Sequence, residues 1–200
     1  TCENCFHSHL NAVVDPDEIF LNYLYVSGTS KTLHDYFEWF ADMVRSETVS
    51  EGSVLDIACN DGTQLQKFRS LGWKTYGIDP AKNLQHLSEK NADKIVVDYL
   101  TDDSVKLLGI EAFDAIIAQN VFAHTDDVVA FLNSCKLVMS DSTKLYIQTS
   151  QADMIENNQF DTIYHEHLSF FSTRSMIALC ERTGLNLISV KRTPIHGGSY

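Results

Sequence analysis

From residue 53 onward, short apolar runs alternate with amphipathic stretches at a regular interval. SVLDIA (53–58), KTYGID (74–79), KIVVD (94–98), FDAIIAQNV (113–121) and KLYIQTS (144–150) read as strands. Between them, TQLQKFRSLG and NLQHLSEK read as helices. DDVVAFLNSCKLVM (126–139) repeats Val128, Phe131, Leu132 and Cys135 at helical spacing. TRSMIALCERTG predicts a helix ending at Gly184, and LNLISVKRT a late strand. Strands alternating with helices at this rhythm predict an α/β fold: a mostly parallel sheet with helices on both faces.

The first fifty residues follow another pattern. LHDYFEWFADMV (33–44) brings Leu33, Phe37, Phe40 and Val44 to one helical face, flanked by Tyr36 and Met43. It predicts a helix laid across the sheet domain. Upstream, TCENCFHSHL and LNYLYVSGTS fit neither period.

Composition narrows the class. Two hundred residues, 44% of them hydrophobic, suffice for one domain with a sizeable core. With 27 acidic against 15 basic side chains the formal charge is −12, which argues against a nucleic-acid partner and confines any anion site to local groups. No apolar run is long enough to span a bilayer, so no membrane partner is expected. The five cysteines, odd in number and scattered, do not form a secreted disulfide framework and point to a reducing cytoplasm. A chain that starts at Thr1 and stops at Tyr200, just after a Gly-Gly turn, is expected to be a piece of a longer polypeptide. Nothing in the pattern fixes an oligomeric state.

Ligands of open α/β sheets bind beyond the carboxyl ends of the strands. VLDIACNDG places Asp56, Asn60, Asp61 and Gly62 where the first strand turns into its helix, and Gly62 permits close backbone approach. Asp79 closes the second strand, where it can accept from both hydroxyls of a ribose; Asp98, ending the third, can receive an adenine amino group. A nicotinamide dinucleotide calls for G-x-G-x-x-G, and this loop has one glycine. It suits a cofactor without a pyrophosphate, such as S-adenosylmethionine. The alternative is that all three acids are ordinary strand-end carboxylates.

FDTIYHEHLSFF (160–171) gathers two histidines, a glutamate, an aspartate and a tyrosine. By residues alone it is a reaction centre, a metal site or a solvated polar strand. With HGGS (196–199), FLNYLYVSGTS (20–30) and AQNVFAHTDD (118–127), it resembles the signature of S-adenosylmethionine-dependent C-methyltransferases acting on nucleoside-diphosphate-linked keto-deoxysugars. The resemblance implies a Rossmann-like class I methyltransferase domain over 33–200, preceded over 1–32 by a remnant of a zinc-binding module and linker. A C-terminal domain of the family would be absent. Cys2 and Cys5 match the second of the family's two Cys-x-x-Cys pairs, with the other expected upstream, so the structural zinc site would be incomplete in this fragment. Ala58 and Cys59 depart from the family's loop, which has glycine and then a small residue there.

Carbon methylation requires removal of a proton beside a ketone, giving an enolate that attacks the methyl group in line. Such a site needs a base near neutral pKa and donors for the developing oxyanion. By resemblance, His167 is the base and Glu166 shapes its surroundings. Tyr164, His124 and Tyr25 would contact the sugar or its oxyanion, and Asn120 would line the pocket between cofactor and substrate. In an extended segment Tyr164 and Glu166 share a face; in a helix Tyr164 and His167 are neighbours. A Tyr164–His167 partnership therefore predicts a loop or turn. The alternatives are an O- or N-methyltransferase on another small molecule, and a truncated cofactor-binding domain without turnover.

Overall fold

The computed structural model describes residues 1–149, 154 and 156–200. Five strands form one sheet: β2 (Ser53–Ile57), β3 (Lys74–Ile78), β4 (Lys94–Val96), β5 (Phe113–Gln119) and β6 (Met139–Gln148). A two-stranded sheet pairs β1 (Ser8–His9) with β7 (Ser169–Phe170). The helices are α1 (Pro16–Phe20), α2 (Lys31–Glu47), α3 (Thr63–Ser70), α4 (Gln85–Asn91), α5 (Asp102–Leu107), α6 (Val128–Lys136) and α7 (Thr173–Thr183). The five-stranded order is β4-β3-β2-β5-β6, with β2 parallel to β3 and β5, and β3 parallel to β4. Order reverses at β2, so the carboxyl ends of β2 and β5 mark the switch point where such sheets bind ligands.

The chain divides into two compact units, one of Asp15–Ala118 with Ser134–Tyr146, the other of Thr1–Val14, Gln119–Asn133 and Ile147–Tyr200. In the larger unit every residue of β2 is buried, as a strand covered on both faces requires. Phe40, Ala41 and Val44 of α2 and Leu65 and Phe68 of α3 pack with Val54, Ala115, Ile117 and Trp73. The helix expected over 33–44 thus lies inside α2, which starts at a Ser30 cap accepting from the Leu33 N–H.

Two expectations need correction. LNLISVKRT forms no strand: after the left-handed cap at Gly184, residues 185–190 are irregular, with Ile188 and Val190 exposed. Apolar alternation favours an extended chain, but a strand needs a partner ladder, and none forms there among the described residues. β4 ends at Val96, so Asp98 lies beyond the strand and not at its end. Ser150, expected to close the strand begun at Lys144, lies outside the described residues. Two short helices carry legible start signals: Asp15 caps α1 with Pro16 at its first turn, and Thr101 with Ser104 makes a capping box for α5.

Candidate active site

In the larger unit the loop after β2 is held from two sides. Its backbone is folded back, with Ala58 at φ +60, Asn60 at +53 and Gly62 at +76. An alanine in the left-handed region costs about 1–2 kcal/mol, a strain that glycine would not carry. A Cβ on Gly62 would also lie 3.0 Å from Cα of Ser88 and from Cβ of Asn91, so glycine there lets the loop close against α4.

Asp79, just past β3, anchors this loop: Oδ2 accepts from the Asn60 N–H at 2.7 Å and Oδ1 from the Ala81 N–H at 2.8 Å. Each carboxylate oxygen keeps capacity for another donor, as recognition of ribose hydroxyls needs. Burial raises the Asp79 carboxyl above its usual value, against the pull of the Ala81 and Asn60 N–H groups. Asp56 is buried in β2, and burial first, then the charges of Asp79 and Asp61, push its carboxyl well up. A pocket this acidic favours a cationic ligand over an anionic one, which fits a sulfonium cofactor and not a pyrophosphate. Asp98 is exposed and accepts from the Tyr99 N–H at 2.8 Å.

The sequence reading put Asn60 on the cofactor, yet its amide is engaged elsewhere. Oδ1 accepts from the Ser27 N–H at 3.0 Å and Nδ2 donates to the Tyr25 carbonyl at 2.9 Å. Asp61 does the same work beside it, its Oδ2 accepting from the Gly28 N–H at 2.9 Å. The stretch around Tyr25–Gly28 is thus a strap pinned over the loop by two loop side chains. Further ties run from Asn83 Nδ2 to the Tyr23 carbonyl and from the Lys82 N–H to the Leu21 carbonyl. Tyr25 itself is 46% exposed.

The smaller unit holds the expected base. Residues 160–162 form a 3-10 turn, and the His167 N–H donates to the Tyr164 carbonyl at 3.0 Å. The segment is therefore a turn, the geometry that a Tyr164–His167 partnership requires. The Tyr164 ring lies 4.5 Å from that of His167, its hydroxyl 3.5 Å from Nε2, and the His124 ring stands 4.9 Å away on another approach. Nδ1 of the buried His167 lies 2.8 Å from the Thr162 carbonyl oxygen. A carbonyl only accepts, so Nδ1 carries a proton and Nε2 is the ring nitrogen turned toward the Tyr164 hydroxyl.

Burial pushes His124 down to about 4, the nearby His167 adding to the shift and hydrogen bonds to the main chain at Glu166 and Asn120 opposing it. Burial, then the Glu166 charge, raises the Tyr164 phenol, keeping it protonated as a donor. Glu166 is partly buried and 3.9 Å from the exposed His165. Asn120 sits at φ +54, directly after β5, and its Oδ1 is buried with no hydrogen-bond partner among the described residues. A buried acceptor left open at a strained position suits a ligand contact. The HGGS loop is structural: Ser199 Oγ donates to the Ile195 carbonyl, and Tyr200 pairs with Thr149 through main-chain bonds in both directions.

The zinc expectation is not supported. The N–H groups of Cys5 and then Asn4 pull the Cys2 thiol below its ordinary value. Yet among the described residues no group of three or more His, Cys, Asp or Glu side chains can hold a metal, and two thiols are half of a closed site. Nor is there, among them, a helix long and apolar enough to cross a membrane.

Comparison with known proteins gives the family of the chain. A family model described as a methyltransferase domain matches residues 30–190. The C-methyltransferase NovU of Streptomyces niveus is 28% identical over 99% of this chain and 48% of its own length. A ubiquinone biosynthesis O-methyltransferase of Rhodopseudomonas palustris (strain BisB5) is 32% identical over 48% of this chain and 39% of its own. The chain therefore spans about half the length, or less, of the curated relatives it matches. Among solved structures, magnesium protoporphyrin IX methyltransferase of Synechocystis PCC 6803 with bound SAH aligns with TM-score 0.61 at 12% identity, covering 83% of this chain and 79% of that one. A putative methyltransferase in complex with the Trm112 activator of Haloferax volcanii aligns at 0.62 and 14% identity, covering 81% and 74%.

Proposed function

Since the chain belongs to the methyltransferase domain family, we propose that it uses S-adenosylmethionine to methylate a carbon atom of a nucleoside-diphosphate-linked keto-deoxysugar. The observation that carries this reading is His167, anchored through Nδ1–H to the Thr162 carbonyl with its Nε2 facing the Tyr164 hydroxyl at 3.5 Å. A carbon beside a ketone becomes nucleophilic only once a base has removed its proton, and a histidine is suited to that task. A relative named as a C-methyltransferase, matched along 99% of this chain, supports the same choice.

The cofactor, when bound, supplies an electrophilic methyl group on a positively charged sulfur. Asp79 and the Asn60–Gly62 backbone would hold its ribose and nearby atoms, with Asp98 toward the adenine and Asp56 buried beneath the loop. His167 Nε2 takes the proton α to the ketone, and the charge spreads onto the carbonyl oxygen. Tyr164, held in its phenol form, donates to that oxygen. His124, neutral near physiological pH, orients the sugar without competing for the proton. Asn120 Oδ1 accepts from a ligand donor.

The test is a keto-sugar nucleotide incubated in heavy water. Deuterium should enter next to the ketone only with His167 intact, and the added methyl should be found on carbon. A methyl found on oxygen, with no exchange, would favour the second reading, an O-methyltransferase of the kind that matches half of this chain.

A further inference from the structure

The N-terminal decapeptide reaches the segment that carries the base. β1 pairs antiparallel with β7, Ser8 opposite Phe170 and His9 opposite Ser169. The Leu10 N–H donates to the Leu168 carbonyl at 2.8 Å, so the pairing begins one residue after His167. His7 lies at the end of this zipper. Its Nε2 is 3.2 Å from the fully buried Ser169 Oγ, and its ring lies 4.9 Å from the Phe171 ring. Phe171 stacks on Phe122 at 4.8 Å and 24°. Phe122 opens the Phe122–His124 turn, which delivers the His124 ring to His167.

We propose that His7 is a positioning residue for the proton-transfer pair, holding His167 through Ser169 and His124 through the Phe171–Phe122 stack. The function absorbed neither His7 nor the segment around it, and a metal-ligand role fits poorly, because its Nε2 and one ring face are committed to Ser169 and Phe171. Two neighbouring contacts fix the same segment. Arg174 sits over the Phe6 ring at 3.7 Å, and the turn from Cys2 closes on His7 through the Cys2 N–H to the His7 carbonyl at 2.8 Å.

The inference rests on the reading of His167 as base, and its test separates the two. Histidine-labelled protein carrying His7→Ala, His7→Phe or Ser169→Ala is compared with the parent by nuclear magnetic resonance, without substrate. The hydrogen-bonded Nδ1–H resonance of His167 should be lost in His7→Ala, retained in His7→Phe and weakened in Ser169→Ala. Thermal midpoint and cofactor affinity should hold in all three. With substrate, kcat should fall ten- to hundredfold, on the order expected for a lost ring contact and a shifted base, in His7→Ala and recover in His7→Phe, KM for cofactor unchanged. An unchanged Nδ1–H resonance in a folded His7→Ala protein would overturn the proposal. So would stoichiometric zinc binding that His7→Ala abolishes. Failure of carbon methylation alone would overturn the function and leave the resonance result standing.

Discussion

The His167 Nδ1–H donates to the carbonyl of Thr162, five residues earlier, at 2.8 Å. That bond fixes the ring plane, so Nε2 is aimed before any substrate arrives. Truncating the ring removes the base and leaves the cofactor loop alone. His167→Ala should lower kcat by roughly 10²–10⁴-fold, with S-adenosylmethionine affinity unchanged by calorimetry. Parallel loss of cofactor binding would mean that the ring is structural.

His124 gives a pH signature. Its ring stays neutral in the folded protein down to about pH 4, whereas an unfolded histidine takes a proton near 6.5. Between those values the unfolded chain binds more protons, so stability present above pH 6.5 is lost as the pH falls toward 4. The shift bounds this loss at roughly 3 kcal/mol. His124→Gln should flatten that part of the profile in urea unfolding followed across pH. His7 and His196, also lowered by burial, act in the same direction and remain in the variant. An identical slope in both proteins would show that His124 is not buried neutral.

Much of this was legible because period and turn chemistry are local. Four of the five strands begin at the predicted residues, while β6 begins at Met139, five residues before Lys144, and Ser30, Ser172 and Gly184 punctuate helices where caps belong. The late strand failed because pairing is not local: the alternation at 185–190 is genuine, but it faces no partner ladder among the described residues. The site divides in the same way. A turn between Tyr164 and His167 followed from the partnership alone, while the strap could not be foreseen, since Asn60 meets Ser27 across 33 positions of sequence. Asn60 was therefore expected to touch a ligand when its amide in fact holds backbone. Thr162 acts through its carbonyl, which no side-chain motif can mark.

Asp79 tests the cofactor loop directly. Asp79→Ala leaves the Asn60 and Ala81 N–H groups without their acceptor and removes the ribose contact. Each hydrogen bond to a charged group contributes about 1.5–3 kcal/mol, so S-adenosylmethionine should bind roughly 10- to 100-fold more weakly. Calorimetry measures this, and unaltered affinity would place the ribose elsewhere.

The strap offers the sharpest steric test. A Cβ on Gly28 would stand 2.5 Å from Asp61 Oδ2 and 2.6 Å from Thr63 Oγ1, both on buried residues with little freedom to turn away. Gly28→Ala must therefore break the Gly28–Asp61 bond and lift residues 25–28 from the loop. The Ser27 and Gly28 amides, bonded to Asn60 and Asp61, should exchange faster with deuterium, by about tenfold for a bond contributing 1.5 kcal/mol. Asn60→Ala should give the same acceleration at Ser27 by removing the acceptor rather than crowding it. Fast exchange in both variants, with α2 still protected, would identify the strap as a separately opening segment. Slow exchange in both would show that it is held by its other ties, at Tyr23 and Leu21.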